Sequence, residues 1–106
     1  TRLVTERFPG FLIDGEVQVD CAVVPEVADR KDPDGKIKGR ANIFIFPNLD
    51  AGNISYKIAE RFAKARALGP VFQGLMRPAS DLSRGCSTQD IIDTVAITAC
   101  RAQAKI

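Results

Sequence analysis

The sequence predicts an α/β layer protein built on a largely parallel sheet, and three observations carry that prediction. Ala41-Asn42-Ile43-Phe44-Ile45-Phe46 is a continuous β-forming apolar run, the composition of a strand buried on both faces. Two segments, about 53–66 and from Ile91 onward, place apolar residues at helical spacing. Short strand-like runs alternate with these helical ones along the chain.

In order, residues 2–8 read as the end of a helix, stopped by Pro9-Gly10. Phe11-Leu12-Ile13 is a short apolar strand closed by the turn pair Asp14-Gly15. Val17, Val19, Cys21 and Val23 alternate with Glu16, Gln18, Asp20 and Ala22, the pattern of a second hairpin strand. The same stretch, running into Pro25-Glu26-Val27-Ala28, also reads as a helix with Pro25 in its first turn. Periodicity favours the strand.

Residues 29–40 are a polar loop of mixed charge, whose basic residues could reach a phosphate but need only be solvated. The apolar run at 41–46 ends at Pro47, and Asn48-Leu49-Asp50-Ala51-Gly52-Asn53 leads into the helix at about 53–66. There Ile54, Ile58 and Phe62 repeat at i+4 beside Ala59 and Ala63, and Glu60 and Lys64 make an i,i+4 pair. Gly69-Pro70 stops it, and Val71-Phe72-Gln73-Gly74 is a further short strand. The last helix carries Ile91, Ile92, Val95, Ala96, Ala99 and Cys100 on one stripe. Arg101, Gln103 and Lys105 lie near its end, where the dipole is negative.

The totals remove several function classes. With 106 residues, the chain has material for one modest core. Fifteen basic and 13 acidic residues leave a net charge of +2, and Trp is absent, so neither charge nor stacking argues for nucleic acid. No apolar run approaches the ~20 residues of a membrane span. Histidine is absent, which removes a His-based general base and the Ser-His-Asp triad. Cys21, Cys86 and Cys100 are widely spaced, form no metal pattern, and fit a reducing, cytoplasmic compartment. The start, Thr1-Arg2-Leu3-Val4-Thr5, has no signal-peptide core and no initiator Met, as expected of a piece of a longer protein.

Two turns entering helices are candidate sites, because ligands of parallel α/β sheets collect at the carboxyl ends of strands. In the first, Gly52 permits close backbone approach ahead of Asn53; alternatively Asp50 caps the helix and Gly52 eases the turn. The second, Asp81-Leu82-Ser83-Arg84-Gly85-Cys86-Ser87-Thr88-Gln89-Asp90, is richer. Arg84 offers a planar fork for a phosphate or carboxylate. Gly85 lets the backbone come close, and Ser83 can donate to an oxyanion or make a local turn bond. No neighbour could activate Ser83 as a nucleophile. Ser87 and Asp90 have the spacing of a capping box, so Asp90 is a helix-start residue or a catalyst. Cys86 is a packing residue or a thiol with its pKa lowered by Arg84.

The run Gly39-Arg40-Ala41-Asn42, Phe46-Pro47-Asn48-Leu49, Gly52-Asn53, Tyr56-Lys57, Gly69-Pro70, Gln73-Gly74, Pro78, Asp81-Leu82-Ser83-Arg84-Gly85 and Asp90-Ile91 resembles the phosphate acetyltransferase (phosphotransacetylase) family. Asp14-Gly15-Glu16-Val17-Gln18 and Val24-Pro25-Glu26-Val27-Ala28 extend the resemblance upstream. It covers nearly the whole chain and corresponds to the C-terminal third of the family's catalytic region.

The resemblance implies a three-layer α/β/α sandwich of the isocitrate/isopropylmalate dehydrogenase-like type, with an active site between two lobes. Residues 1–66 would belong to the second lobe, and 67–106 would return to the first. It also favours a helix at about 19–30. The implied reaction moves an acetyl group between acetyl phosphate and coenzyme A, releasing or consuming phosphate. By position, Ser83 and Arg84 would contact acetyl phosphate, Asp90 would be the base toward the CoA thiol, and Gly85 and Asn53 would add substrate contacts. No metal and no permanently bound cofactor are implied; coenzyme A is a substrate. A homodimer is implied for the whole protein, with no nucleic-acid or membrane partner. The other functions considered are an acetyl-CoA-sensing domain of a malic enzyme and phosphate butyryltransferase.

Overall fold

A computed structural model of the chain describes residues 1–104. They divide into two compact units, Thr1–Ile45 and Phe46–Ile106.

The first unit holds α1 (Arg2–Arg7), α2 (Val19–Val23) and α3 (Pro25–Lys31). The alternating stretch is therefore helical. Cys21 and Ala22, neighbours in sequence, are both buried, which the half-buried strand that the alternation implies would not allow. Together with Ala28, 1 % exposed, they are the buried apolar residues of the described chain. The expected single helix over 19–30 is broken at Val24. Pro25 forces its predecessor out of the helical region, and Val24 sits at φ −121°, ψ 109° while Pro25 starts α3. Lys31 closes the pair by donating to Asp20 Oδ2 at 2.7 Å and Gln18 Oε1 at 2.6 Å.

The loops of this unit are pinned by polar bonds. The Asp14 carboxylate accepts the amides of Gly15 (3.0 Å) and Lys36 (2.5 Å). Slight burial works to raise its pKa, but these amides outweigh it and hold the carboxyl below the usual range. Gly39 is buried at φ +67°, and a Cβ there would stand 2.4 Å from Pro25 N and 2.5 Å from Val24 C. Only glycine fits.

The second unit holds α4 (Leu49–Phe62) and α5 (Thr88–Gln103). α4 begins earlier than the apolar spacing predicts, because the Asn48 side chain caps it by accepting the Ala51 amide at 2.9 Å. Asp50 is thus a first-turn residue, not the cap, and Gly52 and Asn53 lie inside the helix. α4 also ends earlier, with Lys64 at φ +57°, so the expected Glu60–Lys64 pair does not form and Glu60 meets Arg61 at 3.5 Å.

Beyond α4 the chain makes a short antiparallel pairing. Val71 bridges Ser80, the Phe72 amide donates to Ala79 O at 3.1 Å, and the Asp81 amide donates to Pro70 O at 3.0 Å. Ser80 Oγ and Thr98 Oγ1 lie 2.7 Å apart, and Thr98 Oγ1 donates to the Thr94 carbonyl at 2.8 Å, Thr94 being buried in α5.

This bridge is the β pairing of the described residues; the strands expected at 11–13, 41–46 and 71–74 form no ladder, and no parallel sheet is present among them. A strand needs a neighbour for its amides, and among the described residues the 41–46 run has no strand beside it; the Ala41 amide donates instead to Ala22 O of α2 at 2.9 Å. Ile45 is 88 % exposed, and the apolar stripes of α4 and α5 (Ile54, Ile58 and Phe62; Ile91, Ile92 and Val95) are likewise uncovered. Arg101 sits in the last turn of α5 as expected, whereas Lys105 lies outside the described residues. No described helix is long and apolar enough to cross a membrane.

Candidate active site

The Asp81–Asp90 segment is shaped almost entirely by its own short-range bonds. The antiparallel pairing fixes its entry through Asp81, and Asp81 Oδ1 accepts the Leu82 amide at 2.8 Å. A tight turn follows, in which the Cys86 amide donates to Ser83 O at 3.0 Å and the Gly85 amide donates to Ser83 Oγ at 3.3 Å. The local turn bond available to Ser83 is therefore made. It uses the hydroxyl as an acceptor, which leaves the O–H free to donate.

The segment ends in a closed capping box on α5. The Ser87 amide donates to Asp90 Oδ2 at 2.7 Å, and the Asp90 amide donates to Ser87 Oγ at 3.2 Å. Neither bond of the box uses Asp90 Oδ1.

Ser83, Gly85, Cys86 and Asp90 share one small cleft with Tyr56, Glu60 and Arg61 of α4. Its volume is about 30 Å³, the scale of a water or two. Arg61 Nη2 lies 4.0 Å from where a Cβ on Gly85 would stand. Of the residues predicted for the site, the structure brings Ser83, Gly85 and Asp90 together. Arg84 projects from the turn with its side chain exposed, and Asn53, half-buried on α4, is likewise outside the cleft lining among the described residues.

Asp90 is held below the usual carboxylate range. The Ser87 amide is the main cause and the Ser87 hydroxyl the next; slight desolvation opposes them, and the Arg61 and Arg66 charges lower the pKa further. At neutral pH the cleft thus holds the Asp90 carboxylate with Arg61 and Glu60 in the same lining, suited to orienting a donor hydrogen and poorly suited to removing one.

The phosphate acetyl/butaryl transferase family profile matches residues 1–99, which include the whole loop and its capping box. The chain belongs to this family. Phosphate acetyltransferases of Acetivibrio thermocellus and Bacillus subtilis are 57 % and 50 % identical to it, over 97 % and 95 % of the chain and 31 % of each relative. The EutD phosphotransacetylase from Staphylococcus aureus superposes with a TM-score of 0.81 at 50 % identity, over 95 % of this chain and 31 % of that one. This phosphate acetyl/butaryl transferase chain therefore spans about a third of the length of those relatives.

Sequence reasoning missed Glu60, Arg61, Arg66 and Asp93 as neighbours of the loop. Glu60 and Arg61 read as the solvated face of an amphipathic helix. Nothing in their spacing shows that the last turn of α4 returns to the 83–90 loop.

Proposed function

We propose that the protein carrying this chain is a phosphate acetyltransferase, and that residues 81–90 form one wall of its active site. The reading is supported by family membership and by the one cleft that gathers Ser83, Gly85 and Asp90 with Arg61. The cleft is small and open on one side, and in this reading the remaining walls of the site come from elsewhere in the full-length protein. In this reading residues 1–66 belong to the second lobe of a three-layer α/β/α fold and 67–106 return to the first. The whole protein is a homodimer of soluble, cytoplasmic type.

In the forward step the sulfur of coenzyme A attacks the acetyl carbonyl carbon of acetyl phosphate. A C–S bond forms, the bond from that carbon to the bridging phosphate oxygen breaks, and inorganic phosphate leaves with its electron pair. Arg84, exposed at the turn tip, is free to grip the phosphate in bidentate fashion. The Ser83 O–H, not consumed by the turn, donates to the oxygen that gains charge. Asn53 and the Gly85 backbone add contacts to the substrate.

Asp90 orients the thiol more than it deprotonates it. An ordinary carboxyl titrates about 4 to 5 units below a thiol, and the capping box widens that gap. The thiol proton passes to solvent or to the departing phosphate, while Asp90 Oδ1 accepts the S–H and aims the sulfur. The deciding experiment is an assay of the full-length protein with acetyl phosphate and coenzyme A. Stoichiometric acetyl-CoA and phosphate are expected, and the absence of turnover would sink the assignment.

A further inference from the structure

Two arginines place their charge on Asp90, yet among the described residues Asp90 makes no ion pair. Each arginine is held by a different acid. Arg61 Nε is 3.5 Å from Glu60 Oε2. Arg66, in the irregular segment after α4, binds Asp93 Oδ2 through Nη2. Asp93 is itself fixed by Gln89, whose Nε2 donates to Asp93 Oδ1 at 2.9 Å, and only 20 % of its side chain is exposed, against 70 % for Arg66. Asp90 and Asp93 are i and i+3 on α5, so their carboxylates are neighbours on one helix face.

We infer that Asp93 is a positioning residue that holds the Arg66 guanidinium off Asp90 and so keeps Asp90 open to the incoming thiol. This rests on the phosphate acetyltransferase reading. An arginine presents five donors on a long, mobile stem. With Asp93 neutralised, Asp90, one turn back on the same helix face and already within the field of Arg66, is a carboxylate open to it. A guanidinium on Asp90 would occupy the Oδ1 position that the capping box leaves free. Glu60 does the same for Arg61, but from the cleft wall itself, so Asp93 is the cleaner case to test.

The inference separates from a plain structural latch because Asp93→Asn and Arg66→Gln break the same bond. A latch predicts similar losses from both. Release of Arg66 onto Asp90 predicts that only the first is harmful, and that adding the second repairs it. The experiment is steady-state kinetics of the full-length protein for D93N, R66Q, the double variant and D93E, each with its melting temperature. D93N is expected to lower kcat about three- to fivefold, the scale one exposed ion pair can supply, with KM for acetyl phosphate unchanged. R66Q, D93E and the double variant are expected within about twofold of wild type.

Equal losses in D93N and R66Q, or a double variant as slow as D93N, would overturn the inference. If D93N does not fold, R66Q decides alone: a loss beyond about threefold overturns the inference, and near-normal turnover upholds it. A wild-type protein without turnover removes the transferase reading and this inference with it; an active wild type with the wrong order of variants removes only the inference.

Discussion

The Ser87 amide and the Asp90 carboxylate are joined at 2.7 Å, so the group proposed to meet the thiol is also the group that closes the helix cap. One carboxylate oxygen serves the fold and the other remains for substrate. This division predicts how Asp90→Asn behaves in the full-length enzyme. Turnover is expected to fall roughly 10²-fold, the scale of a misplaced reacting group. The deficit should be confined to pH below the ~8.5 pKa of a thiol, where an S–H exists for Oδ1 to accept. A deficit that persists undiminished above that pH would contradict a role of Asp90 on the S–H.

The depressed pKa of Asp90 also fixes the sign of a stability effect. Its carboxyl is more acidic folded than unfolded, so its contribution is complete above the unfolded value of ~3.9 and is lost as pH falls through the lower, folded value. Acid titration followed by circular dichroism should show wild type losing stability through that window faster than Asp90→Asn. Parallel curves would contradict the assignment of the bond.

Ser87→Ala removes the hydroxyl that accepts the Asp90 amide while keeping the backbone donor. A cost of about 1 kcal/mol is expected from the lost cap, read as a drop in denaturation midpoint. Ser87→Thr should restore most of it. Because the Ser87 hydroxyl is one of the causes of the depressed Asp90 pKa, Ser87→Ala should also shift the acid window above toward higher pH.

Gly39→Ala tests the buried turn of the first unit. The substitution combines a left-handed residue, costing ~1–2 kcal/mol, with a Cβ 2.4 Å from a backbone atom that cannot swing away. A loss of about 3 kcal/mol or more is expected. Gly10→Ala, with nothing within 4 Å of its Cβ, is the control and should stay within about 0.5 kcal/mol.

What was legible in the sequence was what short-range chemistry controls. Ser87 and Asp90 announced their cap by spacing, and Pro25 announced a helix start. Local signals failed where two of them competed. The alternation of Val17, Val19, Cys21 and Val23 pointed to a strand, but α2, which ends at Val23 ahead of Pro25, buries Cys21 and Ala22 together. The turn-like letters at 48–53 hid a cap at Asn48 and a helix that starts at once. The strand composition of 41–46 is real, yet pairing is a property of two segments, and no second strand lies beside it among the described residues. Arg61, Arg66 and Asp93 were invisible for the same reason: their importance lies in which residues they meet, and spacing along one helix does not report a meeting with another.

The hydroxyl contact between Ser80 and Thr98 sets a boundary on movement. The loop that carries Ser83 is fastened at one end to the middle of α5 through Thr98 and at the other to its first turn through Ser87. Along the helix those anchors are about 16 Å apart, and the chain between them can stretch to ~24 Å. The roughly 8 Å of slack lets the middle of the arc, with Ser83 and Arg84, bow away from the helix while both feet stay in place. A substrate entering this side of the protein meets an arc tied at both feet to a single rod.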